Sequence, residues 1–155
     1  MNTGLPPVLL VEDSDEDFEI TVGALRLANM RHPILRCANG NDVEKLLGRE
    51  APFEHVLCPV LILLDLNLGG TNGRDLLARF RETEWLRTVP ITILTTSSNP
   101  ADIRKCYASH ANTYLVKPVD LERFEIMIQN WITFWFDTAS LPVGARGDRS
   151  AAFRY

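Results

Sequence analysis

Residues 60–64, VLILL, restrict the fold more than any other stretch of this chain. Successive side chains of a strand point to opposite faces. A run that is apolar at every position must therefore be covered on both faces, as a central strand of a parallel sheet is. Four further short apolar runs repeat the theme: VLLVE (8–12), ILRCA (34–38), ITIL (91–94) and TYLV (113–116). Helical patterns separate them. Five strands alternating with five helices predict an α/β fold, a doubly wound (βα)5 parallel sheet with helices on both faces.

The helix ends carry their own signals. DSDEDFE places acids in the first turn of the first helix, at the positive end of its dipole, and Phe18, Val22 and Leu25 follow at helical spacing. Asn41 with Glu44 resembles a capping box for a short second helix carrying Val43, Leu46 and Leu47. The third helix is predicted from about 74 to 82. Asn99-Pro100 supplies an N-cap and a first-turn proline for the fourth. Asp120 caps a long fifth helix that carries Phe124, Ile128, Trp131, Ile132 and Trp135.

A chain of 155 residues fits one domain, expected over 1–138. The remaining 139–155 is rich in Gly, Arg, Ser and Ala, and reads as a mobile end or an arm that orders against a partner. A net charge of −4 argues against non-specific nucleic-acid binding. No apolar stretch is long enough for a bilayer, and MNTGLPP lacks a signal pattern, so no membrane association and a cytoplasmic location are expected. Cys37, Cys58 and Cys106 show no metal-ligand spacing and read as free thiols.

Ligands of open parallel sheets bind beyond the carboxyl ends of the strands. There the first strand delivers Glu12 and Asp13, the third Asp65, the fourth Thr95 and the fifth Lys117. Alone, each has an ordinary reading: a solvated acid, a helix-capping threonine, a surface lysine. Together they place three carboxylates, a hydroxyl and an ammonium on one rim. Clustered carboxylates repel, and a hard divalent cation, Mg²⁺ or Mn²⁺, relieves that repulsion with oxygen ligands. Asn67, two residues past Asp65, can offer a carbonyl. With charge neutralised, Asp65 can attack phosphorus and carry the phosphoryl group as an acyl phosphate.

These positions resemble the receiver domain of two-component response regulators. Glu12-Asp13, Asp65, Thr95 and Lys117-Pro118 carry the resemblance, which covers residues 7 to about 136. It implies the flavodoxin-like strand order 2-1-3-4-5, with Asp65 as phospho-acceptor and Asp13 as a direct metal ligand. Glu12 would act on the metal through water, Asn67 through its carbonyl. Thr95 would be the switch hydroxyl, Tyr114 the switch aromatic and Lys117 the counter-ion. The Lys117-Pro118 bond is expected to be cis. Such a protein is no enzyme toward other substrates; it promotes only its own phosphorylation and dephosphorylation. The segments LDLNL, GTNGRDLL, YLVKPVDLERF and NWITFWFDTASLP are similar to small regulators paired with bacterial and cyanobacterial phytochromes. That implies a phytochrome-type histidine kinase as partner. One departure is NLGGTNG after Asp65, where the family often has proline; Gly69-Gly70 is expected to loosen this loop.

Other classes fit less well. A haloacid-dehalogenase-type phosphatase needs its nucleophile on the first strand and an acid two residues on, where this chain has Asn67. A flavin-phosphate binder would be repelled by VEDSDED. A pseudo-receiver that binds partners without phosphate remains the alternative. Trp131, Phe134, Trp135 and Phe136 run most of the way round one helix, so one face cannot bury them all. They are expected to form a homodimer interface, rimmed by Asp102, Arg104, Lys105, Glu122 and Arg123.

Overall fold

The computed structural model describes residues 4–142; most of the expected tail arm lies outside the described residues. Strands β1 (Val8–Val11), β2 (Ile34–Cys37), β3 (Leu61–Leu64), β4 (Ile91–Thr95) and β5 (Thr113–Val116) form one sheet. Its order is β2-β1-β3-β4-β5, and every neighbouring pair is parallel. Helices α1 (Asp15–Leu27), α2 (Gly40–Leu47), α3 (Gly73–Glu82), α4 (Pro100–Ala108) and α5 (Leu121–Ile132) connect and flank the strands.

The VLILL strand is covered on both sides, as its pattern demands. Leu61 and Leu63 join Val8, Leu10, Leu25, Phe124 and Ile128 in one apolar cluster, between the sheet and α1 with α5. Ile62 and Leu64 join Leu9, Val11, Leu76, Leu77 and Phe80 in the other, under α2, α3 and α4. Burying one such side chain contributes about 1.5–3 kcal/mol. The central strand is thus pinned from both layers, and its C-terminal end is a rigid place to mount a reactive group.

The expected caps at Asn99 and Asp120 are present; their side chains accept from the N–H groups of Ala101 and Arg123. The cap of α2 differs from the expectation. Asn39, not Asn41, is the N-cap, and its Oδ1 accepts from Asp42 N at 2.9 Å. Asp42 returns the bond by accepting from Ala38 N. The reciprocal pattern therefore exists two residues earlier, with Asp42 in the role expected of Glu44. Glu44 instead pairs with Arg79 of α3.

The fifth helix continues as a π-helix over Thr133–Thr138. The wider winding spreads the aromatic residues. Trp131 belongs to the core, and its indole N–H donates to the buried Thr92 hydroxyl at 2.9 Å. Phe136 stacks on His32, and Trp135 packs at the core margin. Phe134 stays 52% exposed. One helical face cannot bury all four, and the structure divides them accordingly.

The loop after Asp65 is more ordered than Gly69-Gly70 suggests. Asn67–Leu68 and Thr71–Asn72 pair as a short antiparallel ribbon. Gly70 turns it with a φ of +85°, a conformation that glycine adopts without steric penalty. The Lys117-Pro118 peptide is trans, contrary to expectation; among the described residues only Ala51-Pro52 is cis. Trans is the intrinsically favoured form, and from it Lys117 reaches its carboxylate partners.

Candidate functional site

The backbone fixes the site first. Asp65 N donates to Val11 O, and Lys117 N donates to Thr95 O. Each bond carries the parallel ladder one residue past its strand, so Asp65 and Lys117 begin from sheet-held positions. Their side chains then meet. Lys117 Nζ lies 2.9 Å from Asp65 Oδ2, 2.7 Å from Glu12 Oε2 and 3.0 Å from Asp17 Oδ2. Asp65 Oδ1 accepts from Asn67 N at 3.0 Å. Both carboxylate oxygens of Asp65 are thus oriented, and the residue is only 6% exposed.

Burial dominates the electrostatics. It pushes the Glu12 carboxyl up to about 7, even though the Lys117 ammonium pulls the other way. Burial also disfavours the charged form of Lys117, but hydrogen bonds to Glu12 and Asp65 more than offset this and hold its pKa above the ordinary range. Lys117 is therefore a permanent cation. Three carboxylates around one ammonium still leave excess negative charge. Ligand oxygens of Glu12, Asp17 and Asp65 lie within 4.8 Å of one another. A hard cation fits such an all-oxygen set.

Asp17 is the residue that sequence reading missed. It lies one helical turn beyond Asp13, where an acid looks like ordinary dipole compensation. Asp13 itself is exposed and lies outside that close group. Arg36 of β2 was missed too. It donates to the carbonyls of Glu12 and Asp13, pairs with Asp15 and lies over the Phe18 ring. It fixes the acidic turn from outside.

Thr95 and Tyr114 are brought together through the loop after β4. Thr95 Oγ1 accepts from Asn67 Nδ2 at 3.4 Å and from Ser97 N at 3.5 Å. Tyr114 O–H donates to Ser97 O at 2.9 Å. Trp131, Phe134 and Trp135 are elsewhere, lining an apolar groove with Leu115 and Ile126 beside the edge strand β5. Trp131 forms the floor of that groove, not its surface. Asp102, expected at a polar rim, is engaged internally with Arg74 and Ser97.

Residues 8–129 match the response regulator receiver domain family. The chain belongs to that family. The receiver is 35% identical to response regulator Rcp1 of Synechocystis over 139 residues, covering 88% of this chain and 95% of that protein. Among solved structures it resembles the phosphorylated cyanobacterial phytochrome response regulator RcpA (TM-score 0.83, 32% identity, 90% of this chain and 99% of that one). It also resembles the Mn²⁺-bound form of Rcp1 (TM-score 0.80, 34% identity, 89% and 100%).

Proposed function

We propose that this receiver accepts a phosphoryl group on Asp65 from a phytochrome-type histidine kinase, with Mg²⁺ or Mn²⁺ beside it, and signals through Thr95 and Tyr114. The observation that carries the reading is the anchoring of Asp65. One oxygen is fixed by a backbone N–H and the other by a permanent cation. Asp65 oxygen forms the new bond to phosphorus as the phosphorus–nitrogen bond of the donor phosphohistidine breaks. Lys117 then faces the phosphoryl oxygens and balances their charge. Glu12, Asp13, Asp17, Asp65 and the Asn67 carbonyl are the groups that would hold the metal. When bound, the metal offsets the added negative charge of the transferring group. The phytochrome pairing rests on the relatives named above.

Incubation with acetyl phosphate and Mg²⁺ is expected to add one phosphoryl mass to the wild type and none to Asp65→Asn. Intact-mass spectrometry checks it. A folded wild type that gains no mass, with hydrolysis slowed, would favour the pseudo-receiver.

Residues 1–138 are proposed as the receiver; the family match over 8–129 and the π-helix that ends at Thr138 support this. A second copy of the chain is the proposed occupant of the groove beside β5. The groove continues to an edge strand, and Ile126 and Phe134 stand exposed along it. Phe134→Asp is expected to shift the protein from dimer toward monomer in sedimentation velocity, with its far-ultraviolet circular dichroism unchanged. An unchanged distribution would remove this surface from consideration.

A further inference from the structure

Arg36 stands one residue before the end of β2, outside the group of carboxylates, yet every nitrogen of its guanidinium is engaged by the acidic turn between β1 and α1. Nε donates to Glu12 O at 3.1 Å and Nη2 to Asp13 O at 3.3 Å. Nη1 pairs with Asp15 Oδ1 at 2.7 Å, and the guanidinium carbon lies 4.4 Å from the centre of the Phe18 ring. Among the described residues no other donor reaches either carbonyl. Glu12 N in turn donates to Cys37 O, the neighbour of Arg36. Strand β2 therefore grips the turn by its first N–H and by both carbonyls, and one planar group with donors in a fixed fork supplies the second part of that grip.

The two acids of the turn differ in what fixes them. The Glu12 carboxylate has partners of its own: Oε1 accepts from Ser14 N and Oε2 from Lys117 Nζ. The Asp13 carboxylate has no hydrogen bond or ion pair among the described residues. It reaches toward the loop after β3, where a Cβ on Gly69 would lie 3.2 Å from Asp13 Oδ2. The direction of that carboxylate is set by its backbone, and its carbonyl end is held by Arg36.

We propose that Arg36 is a positioning residue for the divalent cation: by holding the Glu12 and Asp13 carbonyls it aims the Asp13 carboxylate and raises the affinity of the rim for the metal. This rests on the metal-binding reading of the acidic rim. Arg36 acts through the turn and does not touch the metal. It also carries a like charge, which by itself would weaken cation binding. That charge is paired with Asp15 and the side chain is 23% exposed, so a counter-ion and solvent screen it. The geometry imposed by the fork is not screened. The two effects have opposite signs on metal affinity, and the positioning effect is the larger.

The test titrates Mn²⁺ into the full chain at constant ionic strength and follows free Mn²⁺ by electron paramagnetic resonance, for wild type, Arg36→Met and Arg36→Lys. Methionine keeps an unbranched stem but has no donors; lysine keeps the charge without the fork. Arg36→Met is expected to raise the half-saturating Mn²⁺ concentration by about tenfold, the lower end of what groups that orient metal ligands contribute. Arg36→Lys should recover only part of that loss. Amide hydrogen exchange of residues 12–15 in the metal-free protein should be faster in both variants, with exchange in β3 unchanged. An Arg36→Met protein that binds Mn²⁺ as tightly as the wild type, or more tightly, would overturn the proposal even if the turn exchanges faster. Full recovery in Arg36→Lys would overturn it too, because the fork would then not be needed. If the wild type itself binds no Mn²⁺, the metal reading of the rim fails, and the role given to Arg36 fails with it.

Discussion

Lys117→Ala is expected to destabilise the metal-free protein by about 3–5 kcal/mol, the typical cost of removing one partner from a buried charge pair. For a chain of this size that lowers the melting temperature by roughly 6–20 °C. The reason is not the loss of one favourable contact. Glu12 is 2% exposed and Asp65 6% exposed, and both depend on the same ammonium, as does Asp17. Without it, two buried carboxylates face each other, with the 40% exposed Asp17 beside them.

The loss should depend on pH, and its sign follows from the two titrations. Glu12 has a folded-state value near 7 against an ordinary 4.5, so its ionisation costs stability as pH rises from about 4.5 through 7. Lys117 has a raised folded-state value, so its contribution is complete below its ordinary value of 10.5 and lost only as pH climbs through the raised one. Removing Lys117 therefore costs most above pH 7, where Glu12 must either carry an unpaired charge or hold a proton against the solution pH. It costs least near pH 5, where Glu12 can stay neutral. Thermal melts of wild type and variant at pH 5 and pH 8 measure this directly. Glu12→Gln in the Lys117→Ala background should recover part of the loss at pH 8, and so should millimolar Mg²⁺. A penalty that is equal at both pH values would show that packing of the lysine stem, not charge, is responsible.

The sheet was readable because β3 and its neighbours are so strongly apolar that only one arrangement covers them. Asn99-Pro100 and Asp120 were readable because a cap is a local event between residues two or three apart. Asp65, Lys117 and Thr95 were readable as neighbours because the strands deliver them to one rim in sheet order. Other features were not legible for definite physical reasons. Asp17 has the sequence context of an ordinary first-turn acid, and only the folded path of Lys117 gives it another role. Arg36 reads as a polar residue in an outer strand until its guanidinium is seen on the Glu12 and Asp13 carbonyls. The Arg74–Asp102 pair spans 28 residues and joins two helices, so no local pattern announces it. The trans Lys117-Pro118 bond lay beyond sequence reading because the isomers differ by only about 0.5–1 kcal/mol. The cap of α2 was misplaced because Asn39 and Asn41 both suit the role locally, and the bond from Ala38 to Asp42 decides between them.

Gly73→Ala is expected to be the most damaging alanine substitution among the described glycines. A Cβ at this position would sit 2.5 Å from Asp65 O and 2.6 Å from Leu66 Cα. Both neighbours are backbone atoms, so no side-chain rotation relieves the clash. The glycine is needed for close approach of α3 to the Asp65–Leu66 backbone; its own backbone conformation is an ordinary helical one. Overpacking of this kind costs about 1–3 kcal/mol, and occasionally more. The larger consequence is chemical. Relief requires α3 or the Asp65–Leu66 segment to move, and either displaces Asp65 from Lys117 or disturbs the bond from Gly73 N to Leu66 O. A misplacement of about 1 Å can lower a positioned reaction by roughly 10²-fold. The rate of mass gain with acetyl phosphate is therefore expected to fall by about that factor in Gly73→Ala, while far-ultraviolet circular dichroism stays near that of the wild type. Gly70→Ala is the control, since a Cβ there meets nothing within 4 Å and costs only the strain of its positive φ. If both variants phosphorylate at the wild-type rate, the fit of α3 is not what positions Asp65, and the anchoring contacts from Lys117 and Asn67 N suffice alone.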